Sequence, residues 1–454
     1  MDYSSLIKKY NVAGPRYTSY PTVPYWDQEA PDVNHWMKNV KFAFEETESE
    51  HGISLYIHLP FCESLCTYCG CNTRITVNHR VEDVYINAVL KEWKMYLGIF
   101  GRKPQIRELH LGGGTPTFFS PENLHKLISG ILNDADVHPQ HDFSFEAHPN
   151  NTTKAHLQTL YNLGFRRLSL GIQDFDHKVQ EIVNRIQSYQ KVADIVNESR
   201  AIGYTSVNFD LIYGLPLQTI QSVESTIQKV IELLPDRIAF YGYAHVPWIK
   251  PGQRKFTEDD LPKDAEKRAL YEIGKKLFVT NDYVEIGMDH FALKTDSLYH
   301  AAQNGNLHRN FMGYTDSRTK LMLGLGVSSI SDTWNAFAQN VKTVEGYYEK
   351  IERNELPIFK GHSLNEEDLI MRRHILNLIC KFETTWAKES EQCEALYEAT
   401  DRLKEMVYDG LVSIEPYKLT VNEVAIPFIR NACMAFDARL WRNLPQSKIF
   451  SNVV

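Results

Sequence analysis

The sequence predicts an α/β protein: a partial or open TIM-like (β/α) barrel with an N-terminal arm and a mainly helical C-terminal domain. Three observations predict it. From residue 54 onward, short apolar strands alternate with helical stretches, the pattern of βα units on a parallel sheet. Polar or glycine-rich groups follow six successive strands, and in βα barrels that edge carries the chemistry. Beyond about residue 360 the pattern changes to helices followed by one hairpin. The expected division is an arm over 1–50, a barrel domain over 51–360 and a lid domain over 361–454.

Residues 1–50 carry Gly14-Pro15 and Tyr20-Pro21 turn signals and no sustained period, so they read as an arm rather than a domain. The barrel strands are expected at Leu55–Leu59, Glu108–Leu111, Phe143–Glu146, Arg167–Leu170, Ser206–Leu211 and Ile238–Tyr241. Helices are expected near 80–97, 121–133, 152–163, 189–202 and 219–233. Ser120-Pro121 places proline at a first helical position, and Gly164 and Gly203 follow helices where a left-handed residue is favoured. A further helix near 263–280 leads to a strand at Val284–Gly287, and Leu321–Ile330 reads as one more. In the last region Ser363-Leu-Asn-Glu366 has capping-box form. Met371, Ile375, Leu378 and Phe382 then recur at helical spacing, as do Leu396, Ala399, Leu403 and Met406 before Gly410 and a hairpin over Leu411–Val421.

The first strand delivers Cys62, Cys66 and Cys69 in a C-x3-C-x2-C spacing. Closely spaced thiolates wrap a loop round a metal centre. Three ligands suit a cubane cluster with one iron left open. The alternative is a zinc knuckle, which wants four N/S donors and usually a second pair farther along. The remaining cysteines outside this loop, Cys380, Cys393 and Cys433, are scattered over the far end. Cys71 is tempting as a fourth ligand but would close the open iron. The second strand delivers Gly112-Gly113-Gly114-Thr115, which is either a tight turn or a place where backbone approaches a ligand. It lacks the spacing of a dinucleotide fingerprint. Strands three to six deliver Glu146 and His148, Gln173, Asp210, and Ala244 with His245. Glu146 suits a ribose diol or an ammonium group, or a helix cap. Asp210 and Gln173 are equally readable as structural network members, Arg185 as a solvated helix residue, and His58, His148 and His245 as satisfied structural histidines.

The composition bounds the function. The chain has 454 residues, 43% of them hydrophobic, and a net charge of −8, which implies no broad nucleic-acid or anionic-membrane surface. No apolar run approaches a membrane span and no signal peptide stands at Met1. Seven cysteines with four inside residues 62–71 describe a reducing compartment rather than a disulfide framework. The expected location is cytoplasmic and the expected state a monomer.

The cysteine motif with Tyr68 beside its last ligand resembles that of the radical S-adenosylmethionine (SAM) enzymes. The arm Arg16-Tyr17-Thr18-Ser19-Tyr20-Pro21, Gly112-Gly-Gly-Thr-Pro-Thr117, Gly171-Ile-Gln173, Asp210-Leu-Ile-Tyr-Gly-Leu-Pro216 and Leu307-His-Arg309-Asn-Phe-Met312-Gly-Tyr314 extend the likeness over nearly the whole chain. Together they resemble the oxygen-independent coproporphyrinogen III oxidases. The resemblance implies a radical SAM oxidoreductase of haem biosynthesis that decarboxylates two propionates of coproporphyrinogen III to vinyl groups through a 5′-deoxyadenosyl radical. It implies one [4Fe–4S] cluster on Cys62, Cys66 and Cys69, and SAM held by Tyr56, Tyr68, Gly112, Glu146 and Ile330, with Tyr56 and Glu146 in catalytic positions. It implies a second SAM at Gly113, Gly114, Gln173, Arg185, Asp210 and Ala244, with Thr115 beside them. A reducing electron donor such as a flavodoxin or ferredoxin is implied, and Arg16 and Arg309 are candidates for substrate carboxylates. Met312 stands where relatives can carry Gln, so no essential polar role is expected there. The C-terminal helices and hairpin allow a winged-helix DNA binder, but the acidic character disfavours it; the resemblance implies a lid. A haem carrier on the same scaffold and a zinc-stabilised protein are the rival classes.

Overall fold

The computed structural model describes residues 3–27, 29, 31–447 and 449–453. Its main sheet has twelve strands. In chain order they are β1 (Ile53–Leu59), β2 (Gln105–Gly113), β3 (Asp136–Ala147), β4 (Arg167–Gln173), β5 (Ser206–Tyr213) and β6 (Arg237–Gly242), then β7 (Tyr283–Gly287), β8 (His290–Leu293), β9 (Met322–Leu325), β10 (Ile330–Asp332), β11 (Ala336–Asn340) and β12 (Ile358–Ser363). The hydrogen-bonded order is β12-β11-β10-β9-β1-β2-β3-β4-β5-β6-β8-β7. Strands β1 to β6 are parallel, and β9 joins β1 in parallel. Antiparallel strands finish both edges. Among the described residues the edge strands β12 and β7 do not pair, so the barrel is open.

Helices Val81–Phe100, Pro121–Leu132, Lys154–Asn162, Tyr189–Ile202 and Ile220–Leu233 connect the parallel strands, and Asp264–Thr280 follows β6. The expected start signal at Ser120 acts as such, accepting from Asn123 N at 3.2 Å, and Thr153 and Thr219 form capping boxes at two later helices. Gly203 ends its helix at φ 116°. Strand residues alternate between two surroundings. Leu55, Ile57, Leu109, Leu111, Phe143, Phe145, Phe209 and Phe240 pack into one apolar core. Their neighbours Tyr56, His110, Ser144, Glu146, Asn208, Asp210 and Tyr241 are polar. TIM barrels fill their interior with branched apolar side chains; leaving this one polar makes room for a ligand at the cost of stability.

Several expectations change. Helix Val33–His51 lies inside the stretch read as an arm, and its Trp36, Val40, Ala43 and Phe44 belong to the barrel core. Tyr3–Tyr10 is a second arm helix. Tyr17 and Tyr20 are each 2% exposed and pack with the C-terminal lobe. The expected strand Leu321–Ile330 is two antiparallel strands, because Gly326 (φ 91°) and Ser328 (φ 59°) turn the chain between them. Strand β12 runs across the expected boundary at residue 360. The helix Glu366–Lys381 is capped by Asn365 with Asp368, two residues on from the expected box, and ends at Phe382 in the left-handed region. The second C-terminal helix breaks at Leu403 into Glu394–Arg402 and Lys404–Tyr408. Strand Glu383–Thr385 adds a third member to the hairpin Val412–Glu415/Lys418–Val421.

Candidate active site

Parallel strands deliver their C-terminal ends to one edge, and Pro60 turns the chain out of β1 into the cysteine loop. The segment after β4 pins that loop: Thr67 N donates to Val183 O at 2.9 Å, and Asn184 Nδ2 to Leu65 O at 2.8 Å. Its far end is held by Lys250 Nζ on Cys71 O at 3.2 Å and by Asn72 Nδ2 on Lys342 O at 2.9 Å.

A cavity of about 430 Å³ faces the loop, within the range of small-molecule sites. Cys62, Cys66 and Cys69 all line it, with Tyr68 and Cys71. Gly113, Gly114 and Thr115 enter from the end of β2, and Glu146 from β3. Gln173, Arg185 and Asp210 close the far side. Residues spread over about 150 positions of sequence thus share one enclosure.

The donor set suits soft-metal chemistry. Cys62 Sγ lies 3.3 Å from Thr115 Oγ1, and burial pushes its thiol up to about 11. The Cys71 thiol, hydrogen-bonded to Cys69, pulls Cys69 down to about 6. Arg185 Nη1 donates to Cys66 Sγ at 3.6 Å and Nη2 to Gly171 O, while its buried Nε has no partner among the described residues. A guanidinium beside thiols favours the thiolate form that ligates metal. Three thiols on one cavity wall, an arginine with an unused donor and a glycine lip fit an iron–sulfur cluster with an organic ligand beside it.

Glu146 Oε2 accepts from Gly113 N–H at 3.1 Å, and Oε1 lies 3.6 Å from His110 Nε2. Asp210 accepts from Ser169 Oγ at 2.7 Å and Asn208 Nδ2 at 2.9 Å, and burial lifts it to about 6. Gln173 is held at φ 65°, a conformation that persists in non-glycine residues where the surroundings enforce it. His148 is kept neutral by burial and by Arg185, its pKa lowered to about 3.

The glycines answer first to the protein. A Cβ on Gly114 would stand 2.6 Å from Pro60 O; on Gly113 (φ 118°) 2.8 Å from the His58 ring; on Gly112 2.9 Å from Tyr56 and 3.0 Å from Glu146 Oε1. They allow the β2 end to lie against β1, and that closeness sets the cavity lip.

Not every candidate reaches this cavity. Tyr56 stands behind it, its hydroxyl 3.0 Å from His58 Nδ1 and its ring stacked on His110. Gly112 lies beside Tyr56 and Glu146 rather than on the wall. Ala244 borders a neighbouring space, and Ile330 sits in β10 opposite Gln339. Arg309 is 7% exposed, over the Tyr314 ring, with Nε and Nη1 unpartnered among the described residues. Met312 lines a separate space of about 230 Å³ in the barrel interior, which shares Glu146, Ser169, Asp210 and Tyr241 with the main cavity. Tyr241 escaped the sequence reading, although alternation along β6 places it on the inner face with Ala239.

Comparison with known proteins matches residues 56–230 to the radical SAM superfamily. The oxygen-independent coproporphyrinogen III oxidase of Escherichia coli K12 is 36% identical over 99% of this chain and 98% of its own. That of Synechocystis is 36% identical over the same shares. The chain belongs to the oxygen-independent coproporphyrinogen III oxidase family. The solved coproporphyrinogen III oxidase of Escherichia coli superposes with a TM-score of 0.89, at 35% identity, over 96% of this chain and 98% of that one. The family likeness therefore runs through the arm and the C-terminal lobe as well as the barrel.

Proposed function

We propose that the protein converts coproporphyrinogen III to protoporphyrinogen IX without oxygen, by oxidative decarboxylation of two propionates to vinyl groups in haem biosynthesis. The observation that carries this reading is the convergence of Cys62, Cys66 and Cys69 on one cavity with the ends of β2 to β5, in a chain that matches its relatives end to end.

Cys62, Cys66 and Cys69 hold a [4Fe–4S] cluster, and Cys71 stays outside the ligand set. When bound and reduced, the cluster and SAM together supply a species able to remove an unactivated hydrogen. The chain's own residues orient and enclose the reactants. Glu146, with Oε2 on Gly113 N–H, offers its other oxygen to SAM, beside Tyr56, Tyr68, Gly112 and Ile330. Gln173, Arg185 and Asp210 form a second SAM site with Gly113, Gly114, Thr115 and Ala244; the buried Arg185 Nε is a donor such a ligand would use. The arm and lobe exclude water and keep a reactive species from side reactions. The electron donor is a small reducing protein such as a flavodoxin or ferredoxin, and the enzyme works as a cytoplasmic monomer. Among the described residues no helix is long and apolar enough to cross a membrane.

Anaerobic incubation with coproporphyrinogen III, SAM and a reductant, followed by product analysis, tests the reading. Protoporphyrinogen IX is expected. Tight haem binding without decarboxylation would transfer the protein to the haem carriers, and a colourless zinc protein would end the radical reading.

A further inference from the structure

Three cations from distant parts of the chain converge outside the cavity described above. Arg16 comes from the arm, Lys267 from helix Asp264–Thr280 and Arg430 from helix Ile429–Ala435. All three line one enclosed space of about 60 Å³ at the end of β6. Arg16 Nη2 donates to Gly242 O at 3.1 Å, and Lys267 Nζ to Tyr243 O at 2.8 Å. Arg430, 7% exposed, spends its donors on the main-chain carbonyls of Gly14, Pro15 and Asn452.

Among the described residues the charges there do not balance. Asp289 lies 3.5 Å from Arg16. Glu285 is taken by Lys275 at 2.6 Å and by the Tyr271 hydroxyl at 2.8 Å, and Arg268 is taken by Glu272. Among the described residues neither Lys267 nor Arg430 has a carboxylate partner; both donate to neutral carbonyls. A buried charge without a counter-charge is costly, and burial together with Arg16 pushes Lys267 down to about 8 and Arg430 down to about 10. Two flanking residues are held in the left-handed region, Tyr17 at φ 50° and Asp289 at φ 62°, so the surroundings fix the cluster at some backbone cost. An anion would supply the missing charge.

The neighbouring space says what the anion is attached to. A cavity of about 350 Å³ adjoins the enclosure and shares Tyr213, Tyr243 and Lys267 with it. Its wall adds Trp248, Leu261 and Pro262 together with the charged Glu258, Lys263 and Asp264. A cationic niche beside a wall that carries Trp248, Leu261 and Pro262 suits a carboxylate on a partly apolar body. The site also lies on β6 one residue beyond Tyr241, which lines the cysteine cavity.

We propose that Arg16, Lys267 and Arg430 form a carboxylate-binding niche that anchors one acidic side chain of the tetrapyrrole substrate. The proposal rests on the decarboxylase reading above and gives that substrate an anchor spanning arm, barrel and lobe. SAM is the other carboxylate at hand, since Ala244 borders the larger space.

Lys267→Met keeps the stem that packs against Gly214 and removes the charge. Binding of coproporphyrin III, its tetramethyl ester and SAM to the anaerobic holoenzyme is measured separately by fluorescence and calorimetry. The expected result is acid binding weakened on the order of tenfold, recovery in Lys267→Arg, and no change for the ester. Arg16→Met, on the half-exposed arm, reports on the same carboxylate should Lys267→Met misfold. Equal losses for acid and ester, or a loss confined to SAM, would overturn the niche as a substrate anchor. So would unchanged acid binding in both variants while the wild type still turns over. A wild type that neither binds coproporphyrin III nor converts coproporphyrinogen III would overturn the underlying reading instead.

Discussion

Two carboxyl groups, the half-buried Asp210 and the buried Asp368, mark two regions of this molecule. At the cavity rim, Asp210 accepts from Ser169 and Asn208 but has no ion-pair partner among the described residues, and burial lifts it from 3.8 to about 6. At the junction of arm, β12 and lobe, Asp368 is also pulled up by burial, yet Arg439 grips it at 2.8 and 2.7 Å and, with His362, holds it at about 2. The rim therefore keeps a carboxyl group that the fold would be better without, and the junction uses one to tie its parts together. A stability cost concentrated at one strand edge is what a ligand site imposes.

The most severe break in that comparison is loss of the thiols. Replacing Cys62, Cys66 or Cys69 with Ser is expected to abolish bound iron and activity completely, while far-UV circular dichroism stays native because the loop's hydrogen bonds with Val183 and Asn184 remain. Cys71→Ser is expected to keep about four irons per chain. Iron analysis and the visible absorbance of anaerobic protein decide it; a colourless wild type with one zinc would show that the rim was misread.

Deleting residues 1–22 attacks the junction. Leu6, Tyr10, Tyr17 and Tyr20 pack into the core of the C-terminal lobe, and Tyr17 OH donates to Asp437 at 3.1 Å. The truncated chain is expected to lose a cooperative thermal transition of the lobe, and Tyr17→Ala alone to cost about 3 kcal/mol. Denaturant titration measures both. A truncated chain with the parent's midpoint would show that the arm contributes nothing to the lobe's stability.

The pH dependence of stability separates the carboxyl groups by sign. Between about pH 4 and 6 the unfolded chain has released the Asp210 proton while the folded chain still holds it. Stability falls as pH rises through that window, by about 3 kcal/mol. Asp210→Asn removes this loss and is expected to raise the melting temperature at pH 8. Asp368 contributes in the other direction: its stabilisation is present above about 3.8 and is lost as pH falls toward 2, about 2 kcal/mol in all. Asp368→Asn is expected to lower the melting temperature at pH 8. Shifts of the same sign in both variants would break the contrast.

What the sequence disclosed divides along the same line. The six βα units, the cysteine loop and the glycine lip are written in consecutive residues, so period and spacing reveal them. The helix Val33–His51 was lost because its core face, Trp36, Val40, Ala43 and Phe44, is short and flanked by polar residues. Leu321–Ile330 looked like one strand because its apolar residues run on either side of Gly324 and Gly326, and Gly326 (φ 91°) with Ser328 (φ 59°) reverses the chain there. The junction was least legible. Its ties join residues about 270 to 420 positions apart, as in Arg16 with Asp289, Lys9 with Asp409 and Asn431 with Tyr10. Lys267 and Arg430 each look like ordinary helix cations until the fold brings them to Arg16.

The finest test of the rim lies in its glycines, which differ in what a single methyl group would meet. At Gly70, in the cysteine loop, a Cβ would meet nothing within 4 Å, so Gly70→Ala should change stability by less than about 0.5 kcal/mol and leave the iron content as it is. At Gly114 the Cβ would stand 2.6 Å from the backbone of Pro60. Neither strand end can yield there, so Gly114→Ala should distort the loop and reduce iron content. Gly112 is the informative intermediate. Its Cβ would meet the Tyr56 ring at 2.9 Å and the Glu146 carboxylate at 3.0 Å, and Glu146, 42% exposed, can swing away. The fold and the cluster then survive, but the carboxylate leaves Gly113 N–H and no longer points where SAM is proposed to lie. Gly112→Ala should therefore keep its iron and weaken SAM binding several-fold, a modest effect on the scale of one charge-assisted hydrogen bond. Equal iron contents in Gly112→Ala and Gly114→Ala, with SAM affinity unchanged in both, would mean that the lip packs the barrel and does nothing for the ligand.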